Sequence, residues 1–205
     1  SHPVNRKRVA DGKDPANSVW VWSPGYKPAM QTFAELYGKT GSVISAVDLI
    51  KGIGVYAGLD SIEVQGVTGL FDTNYEGKAE AAIEALRTQD FVYLHVEAPD
   101  EAGHEGDVGL KIRTIEDLDT KVVGPIMDAV KSWAEPVTIA VLPDHPTPCR
   151  LKTHTKDPVP FIIYKPGETA DPVTVYDERS AKAGGYGLLK GDEFIKTFFE
   201  ENTKP

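Results

Sequence analysis

Phe91-Val92-Tyr93-Leu94-His95-Val96 is an almost unbroken apolar run, and it stops abruptly at Glu97-Ala98-Pro99-Asp100-Glu101-Ala102-Gly103-His104. Six residues are too few for a core helix, and valines and aromatics dominate them, so the run predicts a strand buried on both faces. Just upstream, Ala79, Ala82, Ile83 and Leu86 recur at helical spacing, which predicts a helix over residues 77–87 leading into that strand through Thr88-Gln89-Asp90.

The same alternation extends both ways. Residues 41–46 and 61–65 predict short strands, with a helix over 47–57 between them. Val108, Ile112, Ile115, Leu118, Val122, Ile126 and Val130 recur at steps of three and four, predicting a long amphipathic helix bent near Pro125, with the charges at Lys111, Arg113, Glu116, Asp117, Asp119 and Lys121 on its solvated face. Strands over 137–142 and 159–164 follow, and a closing helix over 191–201 turns Phe194, Ile195, Phe198 and Phe199 inward. Helices interleaved with short apolar strands indicate an α/β fold: a mainly parallel sheet with helices on both faces, whose ligands sit beyond the carboxyl ends of the strands.

Those strand ends carry the chemistry. Asp100 and His104 follow the strand at 91–96, on what reads as a loop, Asp144 and His145 follow the strand at 137–142, and His154 precedes the strand at 159–164. Imidazole nitrogen with carboxylate oxygen suits zinc, manganese or a magnesium-like ion, whereas calcium prefers an all-oxygen site. Asp100, His104 and His154 make a three-ligand position with room for substrate or water. The adjacent side chains of Asp144 and His145 are expected to diverge, as a bridge towards two ions or half of a second site. One histidine near a strand end is more often a hydrogen-bonded structural residue than a ligand, but three at successive strand ends carry more weight. His95, inside the strand, is expected to pack or to support a ligand, and His2 is read as a terminal bystander. Glu97, Glu101, Glu105 and Asp107 are read as acidic residues favouring the start of a helix and are not counted as ligands.

Bulk properties narrow the partners. Against 22 basic side chains stand 31 acidic ones, a net charge of -9, which argues against nucleic acid or an anionic membrane surface. A metal ion or a small, locally neutralised anion fits better. With 1 cysteine, Cys149, no disulfide can form within the chain, and a reducing, cytoplasmic setting is expected. No apolar run approaches the ~20 residues a membrane helix needs, and Ser-His-Pro-Val-Asn-Arg-Lys-Arg at the start has no apolar core of a signal peptide.

In order and type, these ligands resemble the alkaline phosphatase superfamily, whose members hold two divalent metals with an Asp, a His four residues on, a later Asp-His pair and a still later His. Ala98-Pro99-Asp100-Glu101-Ala102-Gly103-His104-Glu105-Gly106-Asp107, Leu142-Pro143-Asp144-His145-Pro146-Thr147-Pro148 and Thr153-His154-Thr155-Lys156-Asp157-Pro158-Val159-Pro160-Phe161 resemble the archaeal-type branch of cofactor-independent phosphoglycerate mutases. Upstream, Ile44-Ser45-Ala46-Val47-Asp48-Leu49-Ile50-Lys51-Gly52-Ile53-Gly54, Asp72-Thr73-Asn74-Tyr75-Glu76-Gly77-Lys78 and Pro15-Ala16-Asn17-Ser18 extend the likeness over nearly the whole chain. The resemblance implies interconversion of 3-phosphoglycerate and 2-phosphoglycerate through a phosphoserine. It further implies two divalent ions, manganese first with zinc, cobalt or magnesium as alternatives: Asp100, His104 and His154 on one, Asp144 and His145 on the other. For a phosphorylated, carboxylated substrate, Lys51 and Lys39 are available cations and Asn17 a further contact, with Lys51 the preferred residue.

The pattern departs from the family in one respect. The segment that supplies a further metal-binding Asp and the nucleophilic Ser is not found, so residues 1–32 are read as the tail of an inserted substrate-binding domain and 33–205 as the C-terminal part of the metal-binding domain. Asn17-Ser18 is rejected as a nucleophile motif, because Val19-Trp20-Val21-Trp22 predicts a buried strand rather than an exposed strand-to-helix turn. The chain alone is expected to bind metal weakly, or at one position, and not to turn over. The alternatives are a homoserine kinase or a phosphomonoesterase with the same metal core, and a non-catalytic domain with a vestigial site.

Overall fold

A computed structural model describes residues 2–21 and 25–199. The chain divides into two units, Ser1–Met30 and Gln31–Pro205.

In the first unit, helix α1 (Pro3–Ala10) starts at His2, whose Nδ1 accepts the amide of Val4 at 3.3 Å, so His2 is a helix cap rather than a bystander. Asn5 ties the following segment back by exchanging two hydrogen bonds with the backbone of Ala16, at 2.6 and 2.8 Å. The expected buried strand at Val19 to Trp22 does not form: Val19, Trp20 and Val21 are irregular and exposed, and Trp22 lies outside the described residues. A strand needs a hydrogen-bonding edge, and the described residues of this unit contain none.

The second unit is built on a three-stranded parallel sheet of Asp60–Ser61, Gly41–Ile44 and Phe91–Leu94, in that spatial order. Strand β1 (Gly41–Ile44) lies at its centre and is buried along its whole length, as a strand covered on both faces must be. β3 (Phe91–Leu94) pairs with it from Gly41↔Phe91 to Ile44↔Leu94, so both strands end at the same level. β2 (Asp60–Ser61) is shorter than expected, pairing only with Ser42 and Val43.

Helix α2 (Phe33–Tyr37) opens with a complete capping box between Thr32 and Glu35. Helix α3 (Asp48–Tyr56) packs its Gly54 directly on Val43, an approach that a Cβ would prevent. Helix α4 (Tyr75–Ala85) begins two residues earlier than the periodicity suggests, because the Asn74 side chain accepts the amide of Gly77 at 2.9 Å.

The stretch expected to be a loop is helix α5 (Ala98–Glu105), with Pro99 in its first turn and Gly106 in the left-handed conformation at its end. The expected long helix is divided into α6 (Val108–Leu118), a π-helical turn (Asp119–Val123) and α7 (Gly124–Val130). Pro125 has no amide and its ring crowds the carbonyl four residues back, so the extra residue of the π turn falls just before it.

The face of α6 is also rotated from expectation. Val108, Ile112 and Ile115 are exposed, whereas Thr114 is buried and Lys111 half-buried, because this helix packs on α5 rather than on the sheet.

β4 (Ile139–Val141) and β5 (Ile162–Tyr164) form a separate antiparallel pair. The core gathers Tyr75, Ala79, Ala98 and Val122, with Leu94, Val96 and Ile126 packed against it. A second cluster stacks Phe33 on Phe91 at 4.6 Å and brings Phe199 of helix α8 (Glu193–Phe199) within 5.5 Å of Phe33, at the amino end of β3. The expected end of that helix, at 200–201, lies outside the described residues.

Candidate metal centre

Beyond the carboxyl end of β3 the chain turns through His95 and Glu97 into α5, where Asp100 and His104 stand one helical turn apart on the same face. The Asp100 carboxylate is the hub of a cluster. Its Oδ2 lies 3.2 Å from His104 Nε2, and its Oδ1 lies 3.5 Å from His154 Nε2 and 3.8 Å from His145 Nδ1. His104 Nε2 and His154 Nε2 are 2.9 Å apart, and the rings of His145 and His154 approach to 3.7 Å.

Asp144 and His145 do not diverge as expected: Asp144 Oδ2 comes within 3.4 Å of His145 Nε2, and its other oxygen accepts the His145 amide at 3.0 Å. Asp100, His145 and His154 each offer a donor atom within 4.8 Å of the others, a metal-sized grouping. One carboxylate and two imidazoles are a donor set suited to a divalent transition ion. His104 joins this group through Asp100 and His154, and Asp144 through His145.

Antiparallel pairing explains why His145 and His154 meet. The end of β4 and the start of β5 lie at one end of their pair, so the connection between them delivers both histidines to the same place. Backbone bonds fold that connection: Thr155 donates its amide to Pro146 at 3.0 Å, and Lys152 donates to Pro148 at 3.0 Å. Lys152 adopts φ 55°, the single positive value outside glycine among the described residues. Its carbonyl accepts from His104 Nδ1 at 3.1 Å, which turns Nε2 of that ring towards the cluster.

Residues not counted as functional surround this centre. Thr147, almost wholly buried, donates its hydroxyl to Asp100 Oδ1 in a short hydrogen bond and lies 3.2 Å from His145 Nδ1. Lys111, read as a solvated charge, instead donates to the Thr147 carbonyl at 2.7 Å. Asp107 does cap a helix, accepting the Leu110 amide at 2.8 Å. His95 packs at the strand end, the first of its two expected roles: Nδ1 meets Ser45 Oγ at 3.1 Å and Nε2 meets Glu97 at 3.3 Å.

Lys78 is fully buried and donates to the His95 carbonyl at 2.9 Å. Burial pulls its pKa down to about 8, against the opposing charge of Glu97. Burial likewise lowers the His95 imidazole, with Asp144 opposing, and raises the Glu97 carboxyl, reinforced by Asp100.

The candidate substrate residues lie on other elements. Lys51 is held by Glu63 at 2.9 Å beside a cavity of about 60 Å³ that Ser45 also lines. Lys39 precedes β1, at the opposite end of the sheet from the cluster, where it is no longer an available cation for a substrate bound there. Asn17 belongs to the first unit, where its side-chain oxygen accepts from Ser18 at 3.3 Å.

A family described as the metalloenzyme superfamily matches residues 5–197. This chain belongs to that superfamily. Within it, the resemblance to archaeal-type mutases is borne out by relatives of that description. A 2,3-bisphosphoglycerate-independent phosphoglycerate mutase of Methanosarcina acetivorans is 61% identical over 196 residues, 95% of this metalloenzyme chain and 49% of the relative. A probable enzyme of the same name from Geobacter sulfurreducens is 56% identical over 202 residues, 98% of this chain and 50% of the relative. The chain thus spans about half the length of the curated relatives it matches.

Solved structures agree on the fold. PH0037 protein from Pyrococcus horikoshii superposes with a TM-score of 0.85 at 34% identity, covering 97% of this chain and 51% of that one. The cofactor-independent phosphoglycerate mutase of Thermoplasma acidophilum gives 0.59 at 30% identity, covering 90% and 43%. The α/β reading, with its parallel sheet and flanking helices, is that of the family.

Proposed function

We propose that the cluster around Asp100 is the metal-binding part of a 2,3-bisphosphoglycerate-independent phosphoglycerate mutase. The observation that carries this is the convergence of Asp100 and His104 of α5 with Asp144, His145 and His154 of the β4–β5 connection, in a chain 61% identical to an enzyme of that name. Two divalent ions fit the proposal, manganese first and zinc, cobalt or magnesium as alternatives, with Asp100, His104 and His154 as the residues that would hold one and Asp144 and His145 those that would hold the other. Such ions supply the positive charge that the oxygens of a transferring phosphoryl group require.

The residues of this chain hold and orient those ions. Lys152 presents His104 through its carbonyl, and the buried Lys78 fixes the strand end from which α5 departs. Beside Asp144 and His145 opens a cleft of about 420 Å³ that Lys156 also lines, large enough for a phosphoglycerate and offering a cation to it. Lys51 is a second candidate cation, released if a substrate anion displaces Glu63.

In the proposed cycle the phosphoryl group passes from the 3-hydroxyl of glycerate to a serine, the glycerate reorients, and the group passes back to the 2-hydroxyl. That serine is not assigned to any residue of this chain. Residues 1–32 are proposed to belong to a substrate-binding domain and 33–205 to the metal-binding domain of a cytoplasmic enzyme. The test is an enolase-coupled assay with manganese, run on this chain and on a protein of the full length of its relatives. The expected result is conversion of 3-phosphoglycerate without release of inorganic phosphate and without ATP. Steady phosphate release would instead assign a phosphomonoesterase, and ATP-dependent phosphorylation of homoserine a kinase.

A further inference from the structure

We infer that Thr147 is a positioning residue of the metal centre: its hydroxyl locks Asp100 and His145 together and sets the tautomer in which His145 binds. This rests on the metal reading above and adds to it a residue that neither the ligand pattern nor the family resemblance assigned.

A threonine hydroxyl has one proton to give and lone pairs to receive with. The Asp100 carboxylate can only accept, so the proton of Thr147 Oγ1 goes to Asp100 Oδ1 in the short bond between them. The lone pairs are then left for His145 Nδ1, 3.2 Å away, which must donate. With Nδ1 as the donor, the nitrogen left to serve as a metal ligand is Nε2, which lies 3.4 Å from Asp144 Oδ2, so an ion held by Asp144 would meet His145 through that atom. The Lys152 carbonyl treats His104 in the same way, so both rings present Nε2.

The position of Thr147 is itself built by other elements. A Cβ on Gly103 of α5 would overlap the Thr147 carbonyl and come within 2.9 Å of its methyl group, so glycine there admits the loop against the helix. Lys111 of α6 holds the same carbonyl at 2.7 Å, and the side chain is 3% exposed. Neither contact involves the hydroxyl, so the backbone is seated independently of the bond it presents.

Calorimetric titration of the full chain with Mn²⁺, comparing Thr147→Val with Thr147→Ser, tests the inference. Loss of such a partner costs about 10- to 100-fold in metal affinity, so valine should weaken binding by that factor, and serine, which keeps the hydroxyl, should restore it to within about threefold. Equal affinity of the valine variant and the unmodified chain overturns the role of Thr147 while leaving the metal reading intact. Absence of binding by the unmodified chain overturns the metal reading instead. To keep the test independent of whether the valine variant folds, the ¹⁵N spectrum of the unmodified, Zn²⁺-bound chain gives a second decision. His145 should carry its proton on Nδ1, and a proton on Nε2 overturns the assignment.

Discussion

Lys78 shows how far a single side chain can depart from its type. Its amine is buried beneath the strand end, with the His95 carbonyl as acceptor and Glu97 as the compensating charge, and its pKa falls from 10.5 to about 8. Between those values the unfolded chain holds a proton that the folded chain has released, so this group makes stability rise with pH across the window. Below about pH 8 the cost of burying the charge is present in full. Comparing the unmodified protein with Lys78→Met cancels the other titrating groups. The unmodified protein should gain about 2 kcal/mol on the variant between pH 7.5 and 10, measured by urea denaturation. A difference that stays flat across this range contradicts a buried, depressed lysine.

At the scale of elements, short helices stand here through their ends and their packing more than through amphipathic periodicity. α4 is the clearest instance, because Asn74 both receives the Gly77 amide and donates to the Gln65 carbonyl at 2.9 Å, tying the helix start to the preceding loop. Asn74→Ala should cost about 1 kcal/mol, with the loss visible as an earlier urea midpoint at unchanged slope. An unchanged midpoint would show that tertiary packing alone holds the helix. On α6, by contrast, the outward Val108, Ile112 and Ile115 show that an apolar period marks a helix without stating which side faces the core.

Across the whole second unit, the centre joins segments that the sheets do not. Asp100 and His104 follow the parallel sheet, whereas Asp144, His145 and His154 belong to the connection between the antiparallel strands. An ion held by both parts acts as a staple on the folded state. Mn²⁺ at ~100 times its dissociation constant should stabilise the fold by about 3 kcal/mol, raising the melting temperature by roughly 5 to 10 °C, reversibly on chelation. His154→Ala should abolish most of that rise and leave melting without metal unchanged, since the side chain is half exposed. A rise that survives in the variant would place the ion elsewhere.

Much of this was legible in the residue order. Apolar runs such as Gly41 to Ile44 and Phe91 to Leu94 determine strands, because backbone groups out of water must pair, but only the first is buried along its whole length; the second, expected to be buried on both faces, is half-buried with Tyr93 exposed. Asp100, His104, Asp144, His145 and His154 could be picked out because metal-ligating types recur at strand ends. Tertiary structure decided the rest. Whether residues 98–105 form a loop or a helix, which side of α6 is buried, and the pairing of Lys111 and Thr147 across 36 residues depend on what packs alongside. Thr147 and the carbonyl of Lys152 are invisible to composition, since a hydroxyl or a backbone oxygen acquires a role only from the partner that folding places within hydrogen-bonding reach.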